Sequence, residues 1–241
     1  MDFNFLSSTF IRLMGALPLT LELWALAVFF GAFLALGLTW MRARKGRILP
    51  GLSRFYVFIF RGTPLLVQLF LIYYGLGSIK EVQQSFLWPF LREPFYCAVL
   101  ALAMNTAAYA SEIFRGALAA VPFGQVEAGI ACGMSRLTVF RRIIFPIALR
   151  QALPAYSTEI ILMTKATALA SLVTLFEVTG VAQKIKNDTY RALEVYLVAG
   201  LIYLVLNFII ARAIAALEHY LSPHLRAIPA SKRIPDPADV L

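Results

Sequence analysis

The chain has 241 residues, 60% hydrophobic and 15% charged, against roughly 25% charged in an ordinary soluble domain. A soluble fold of this size has too little interior for that much apolar surface, so the class expected is an all-α polytopic membrane protein. The formal charge of +9, from 22 Lys and Arg against 13 Asp and Glu, fits basic cytoplasmic loops rather than a nucleic-acid surface.

Residues 1–16 hold one cation, Arg12, whereas a cleaved leader needs a basic start, so none is expected. Five apolar stretches then follow in chain order: about 17–41, 55–79, 95–118, 147–175 and 192–217. At 1.5 Å per residue each reaches about 35 to 43 Å, enough to cross the hydrocarbon with some tilt. Fourteen of the Lys and Arg fall in the loop 42–54, the stretch 115–150 and the C-terminal tail, while six fall on the other side. The richer side is cytoplasmic, which leaves the N-terminus outside and the C-terminus inside.

The outer connections 80–94 and 176–191 read as short loops of mixed charge. The stretch from Ala119 to Pro146 reads as the one sizeable non-membrane element, amphipathic and helix-forming. Residues 1–221 therefore form a single transmembrane domain, and 222–241, with Pro223, Pro229, Pro235 and Pro237, form a flexible cytoplasmic tail. Cys97 and Cys132 fall on opposite sides of the bilayer, so no structural disulfide is expected. The sequence has no phosphate-binding Gly-x-x-x-x-Gly-Lys-Ser/Thr loop, no Cys or His pair at metal spacing and no Gly-x-Ser-x-Gly turn. His219 and His224 lie five residues apart and read as solvated. No catalytic residues, no metal and no cofactor are expected.

The cytoplasmic stretch contains Glu127-Ala128-Gly129-Ile130-Ala131-Cys132-Gly133 and, nine residues on, Ile143-Ile144-Phe145-Pro146. This pattern predicts a short helix, a glycine turn and a second helix, with Pro146 stopping it or starting the next. On chemistry alone it is either a projecting docking element or an amphipathic loop lying on anionic headgroups.

The spacing resembles the "EAA" loop of bacterial ABC importer permeases, with Gly129 in place of an Ala and Phe145 in place of a Leu. Four further runs are similar to the polar amino acid subgroup: Phe60-Arg61-Gly62-Thr63-Pro64, Ala108 to Gly116, Val121-Pro122-Phe123-Gly124-Gln125 and Leu153-Pro154-Ala155-Tyr156. Within it the chain looks most like the membrane subunits of histidine/lysine/arginine/ornithine and octopine/nopaline importers. The resemblance implies a type I importer permease fold in the bacterial inner membrane. It also implies a coupling helix, with Glu127, Ala128, Gly129, Gly133, Ile143 and Pro146 docking on an ATP-binding cassette ATPase subunit. Two such ATPases, a second permease (identical or paralogous) and a periplasmic or extracellular solute-binding protein are the implied partners. The alternative from another class is a self-sufficient secondary transporter or channel.

Ionisable groups within spans are costly and so are candidates for function. Arg61 lies about 9 Å of rise from Phe55 and reads as snorkelling, Glu112 sits near a cytoplasmic end, and both are expected to close ion pairs between segments. Glu22, near the outer end of its span, also reads as snorkelling. Glu159 falls near the middle of the fourth span and is the carboxylate hardest to explain that way. With Thr158 or Thr164 it would replace the water around a cationic amino acid or opine, or else pair with Lys165. Ser157, Thr164, Thr167, Ser171 and Thr174 form a hydroxyl stripe that either lines the path or glues helices. Stripe and carboxylate share a face only if the helix breaks, near Pro154 for instance.

Overall fold

In a computed structural model, residues 2–221 are described, and the expected tail 222–241 and His224 lie outside them. The chain opens with α1 (Phe3–Ala43), 41 residues long and about 60 Å by helical rise. The Asp2 carboxylate caps its start, accepting from the N–H groups of Asn4 and Phe5. The first helix thus begins well before the apolar run at 17.

One face of α1 is buried at Leu13, Ala16, Thr20, Leu23, Ala27, Gly31, Ala35 and Leu38, in steps of three and four. It packs along α6 (Pro94–Ala119), whose buried residues include Ala98, Ala101, Ala103, Ala107, Ala108 and Ala110. Small side chains let the two backbones approach closely, the usual means of helix association in lipid. Gly31 marks the tightest point, because a Cβ there would overlap the Cγ2 methyl of Thr106.

The second stretch is not one straight helix. α2 (Ile48–Gly62) and α3 (Leu65–Phe70), which continues through a π turn to Gly75, meet at 106°. The cause is local. Pro64 has no N–H and holds Thr63 in an extended conformation (φ −122°, ψ 148°). Short helices α4 (Lys80–Gln83) and α5 (Trp88–Leu91) fill the outer connection before α6.

After α6 come α7 (Phe123–Ala131) and α8 (Arg136–Val139), and a π turn at Phe140–Ile144 leads into α9 (Phe145–Ala166). Pro146 occupies the first turn of α9, where a missing N–H costs nothing. Pro154 lies inside α9 without interrupting it. The helix tightens instead into a 3-10 segment, Thr167–Val173, ended by Thr174 in the left-handed region (φ 66°).

The expected outer loop 176–191 proves to be mostly α10 (Val178–Thr189), bent 49° from the preceding run. Val178, Ala182 and Ile185, on one face, join Leu13 and Ala16 of α1 and Val195, Val198, Ala199 and Ile202 of α11 (Ala192–Leu221) in a core cluster. Its Lys184, Asn187 and Asp188 remain exposed. By length and composition α1, α6 and α11 each suffice to cross a bilayer, and the described residues hold up to five spans when each bent run counts as one.

Candidate functional site

Breaking a helix in lipid leaves carbonyls without partners, and here two buried amides satisfy them. Gln68 Nε2 donates to the carbonyls of Phe60 and Thr63 and to Thr63 Oγ1, at 2.9, 3.0 and 2.8 Å. Asn105 Nδ2, from α6, donates to Gln68 Oε1 at 2.9 Å and to the Phe60 carbonyl at 3.4 Å. The break is therefore a fixed element, pinned to α6.

Glu159 of α9 faces the same part of α6. Its Oε1 accepts from the Thr106 hydroxyl at 2.8 Å. Thr106 and Asn105 are adjacent, so the carboxylate and the broken helix are held by neighbouring residues of one helix. From Phe145, Glu159 is about 21 Å of rise along α9.

Arg61 is exposed and lies in the last turn of α2, about 10 Å of rise beyond Arg54 of the same helix. Its guanidinium lies 5.2 Å from the ring centre of Tyr109. Among the described residues it closes no ion pair. Glu112 does close the expected link between segments: it pairs with Arg42 of α1 and with Arg115, each at 2.9 Å.

The other candidates separate. Thr158 is exposed and bonds to the Pro154 carbonyl, while Thr164 is fully buried with its hydroxyl on the Ile160 carbonyl. Ser157, Thr164 and Thr167 of the hydroxyl stripe are buried, and Ser157 bonds to Glu218 of α11, so this part of the stripe serves helix packing. With α9 unbroken at Pro154, stripe and carboxylate lie on different faces. Lys165 does not pair with Glu159: it lines a cavity of about 320 Å³ with Thr179, Tyr196 and Tyr203. Beside that cavity Glu177 is fully buried, accepting from the N–H groups of Thr179 and Gly180 at 2.9 Å each and from the Tyr203 hydroxyl at 2.8 Å. Sequence reading passed over Glu177, whose only sign was a carboxylate just ahead of a helix start.

At the cytoplasmic end, α7 closes with a glycine cap. Gly133 (φ 76°) follows the helix, its N–H donating to Ile130 O at 2.9 Å and that of Met134 to Gly129 O at 3.1 Å. These are the two bonds of a Schellman motif. Ser135 then caps α8 through the Thr138 N–H. Gly129 is the buried residue of α7, and a Cβ on it would lie 2.6 Å from Ile143 Cδ1. Glu127, Ala128 and Phe123 are exposed. Of the six residues singled out from the motif, Gly129 and Ile143 pack the inside of this hairpin, Glu127 and Ala128 lie on its outside, Gly133 makes its turn and Pro146 follows in the first turn of α9.

Residues 27–222 match the family described as the binding-protein-dependent transport system inner membrane component. The octopine transport system permease protein OccM of Rhizobium radiobacter is 52% identical over 225 residues, 93% of this chain and 92% of that protein. The histidine/lysine/arginine/ornithine transport system permease protein HisM of Escherichia coli K12 is 41% identical over 193 residues, 80% of this chain and 81% of that protein. A crystal structure of an amino acid ABC transporter with histidines superposes with a TM-score of 0.81 at 32% identity, covering 91% of this chain and 99% of that one. The broken second span, the projecting hairpin and these likenesses converge: the chain belongs to the family of binding-protein-dependent transport system inner membrane components, with the type I ABC importer permease fold.

Proposed function

We propose that this chain is the permease for cationic amino acids or opines in a bacterial inner membrane. One carboxylate carries the reading. Glu159 lies half-buried beside the pinned helix break, held by Thr106. Discontinuous helices at the midplane are where carriers of charged solutes place their sites, since irregular backbone is tolerated only where it faces protein or water. An ammonium or guanidinium crossing there trades its water for the carboxylate, with the exposed Thr158 at the margin. Thr164, being buried, packs α9 in this conformation.

Energy enters through the hairpin. We assign the outer face of α7 with Glu127 and Ala128, braced by Gly129, Gly133, Ile143 and Pro146, to docking on a separate ATPase subunit. Two permeases, two ATPases and a solute-binding protein complete the importer. The test is co-purification with an ATPase subunit, then uptake by the reconstituted complex of L-arginine, octopine and a neutral amino acid. ATP-dependent uptake of the cationic solutes is expected. Uptake by this chain without any ATPase would instead establish a secondary carrier.

A further inference from the structure

We propose that the end of the bundle where α1 begins, the outer one by the charge counts, holds a glycerophospholipid as a fixed component. One acyl chain lies in the groove between α1 and α11, and an amine-bearing headgroup meets the charged residues at its mouth.

α1 and α11 start side by side and run in the same direction. Arg191, whose carbonyl accepts the first helical bond of α11 from the Val195 N–H, sets its guanidinium 4.6 Å from the ring centre of Phe5 and 3.7 Å from the Asp2 carboxylate. Deeper in, Leu13 and Ala16 of α1 pack with Val195, Val198 and Ile202 of α11. Beside that seam the two helices leave a groove of about 810 Å³, lined from Phe3 to Leu17 on α1 and from Leu197 to Ile209 on α11. Ser7 is its one polar lining residue, and the Ser7 hydroxyl already donates to the Asn4 carbonyl at 3.0 Å. The lining therefore calls for hydrocarbon alone, and Phe10, Ile11, Leu201, Val205 and Ile209 stand exposed along it.

The dimensions and the charges select the occupant. The lined stretches measure about 21 Å on α1 and about 18 Å on α11 by helical rise, and the hydrocarbon of one leaflet is about 15 Å deep. An acyl chain with its glycerol above it fits lengthwise. Charge sits at one end only. Arg191, Glu194, Val198, Leu201 and Val205 follow one another in steps of three and four, so the two charged residues share a face of α11 with the apolar lining and stand directly above it. A phospholipid presents that same order, a charged head and then a chain. The Arg191 guanidinium suits the phosphate, while the carboxylates of Asp2 and Glu194 suit an amine beyond it and disfavour a headgroup of net negative charge. A helix of a second chain is the competing occupant, and it leaves the two signs of charge at the mouth without a purpose.

Native mass spectrometry of the detergent-purified complex, stripped of lipid and titrated with palmitoyl-oleoyl phosphatidylethanolamine or phosphatidylglycerol, tests this. The parent is expected to retain a phospholipid, with phosphatidylethanolamine favoured at least fivefold. Leu201→Trp, which fills the groove, should lose it, whereas Leu204→Trp, on an exposed part of α11 outside the groove, should retain it. Glu194→Gln should bring the two lipids within twofold of each other. Unfolding temperatures within a few degrees of the parent identify the variants that are folded, and Val205→Trp serves as a second groove-filling variant. A parent that retains no phospholipid, or groove-filling variants that retain it as the parent does, would overturn the site. Equal retention of both lipids by the parent would overturn the headgroup assignment. Cross-linking of a Leu201→Cys variant to a neighbouring chain, absent from the parent, would show protein in the groove and overturn the proposal as well.

Discussion

Thr106 joins two parts of the molecule through one side chain: its hydroxyl donates to Glu159 at 2.8 Å, and its methyl fills the space that Gly31 leaves open on α1. The packing of α1 on α6 at Gly31 is thereby coupled to the carboxylate assigned to cargo.

A methyl on Gly31 must displace Thr106, whereas one on Gly37 meets nothing within 4 Å. Gly31→Ala is expected to cost about 1 to 3 kcal/mol by overpacking, and Gly37→Ala to be neutral or stabilising by up to about 1 kcal/mol through helix propensity. Unfolding temperatures of the two purified variants check this. Equal values would mean that the contact relaxes freely.

The break in the second span depends on Gln68. Gln68→Leu removes the donor to the Thr63 carbonyl and leaves that of Phe60 only the 3.4 Å bond from Asn105, with an expected cost of about 1 to 3 kcal/mol. Hydrogen exchange is the measurement, and faster exchange should be confined to residues around 60–75. Unchanged exchange there would show that other groups hold the break.

Much of this architecture is legible from composition and periodicity, including the apolar helices, the Glu112 link and the turn at Gly133. What escaped has identifiable causes. The apolar run 55–79 masks the break, although Pro64 is visible within it, because hydropathy does not register a lost N–H. The ion pair expected of Arg61 does not form among the described residues, its guanidinium lying instead against the Tyr109 ring, a contact no local pattern announces. Helix α10 was hidden by its Lys184, Lys186, Asn187 and Asp188, since its burial rests on only Val178, Gly180, Ala182 and Ile185. The Thr106 partner of Glu159 is 53 residues away, a separation over which no local pattern carries information.

The buried Glu177 makes a further test. Tyr203→Phe removes one of the three donors that hold its carboxylate, besides the bond to Thr179. A charged group left short of partners inside the bundle costs about 1 to 3 kcal/mol, so the unfolding temperature should fall by several degrees. A Tyr203→Phe variant as stable as the parent would show that Glu177 is held by its backbone donors alone.

At the hairpin, side chains with a Cβ resist the backbone that Gly133 adopts. Gly133→Val is expected to cost about 1 to 2 kcal/mol in the left-handed region, and Gly133→Asn appreciably less, since Asn tolerates it. Transport-coupled ATP hydrolysis in proteoliposomes should fall strongly for Val and mildly for Asn, with membrane insertion unaffected. Normal coupling in the Val variant would detach the hairpin from docking.

The most direct measurement of the central claim is uptake by proteoliposomes containing the complete importer, comparing the parent with Glu159→Gln at matched incorporation. The amide retains the size and a hydrogen bond to Thr106 while removing the charge. Uptake of L-arginine or octopine should fall at least tenfold, with a neutral amino acid carried by the same complex little affected. Equal uptake of the cationic solute by both proteins would contradict the account and leave Glu159 as a residue of helix packing.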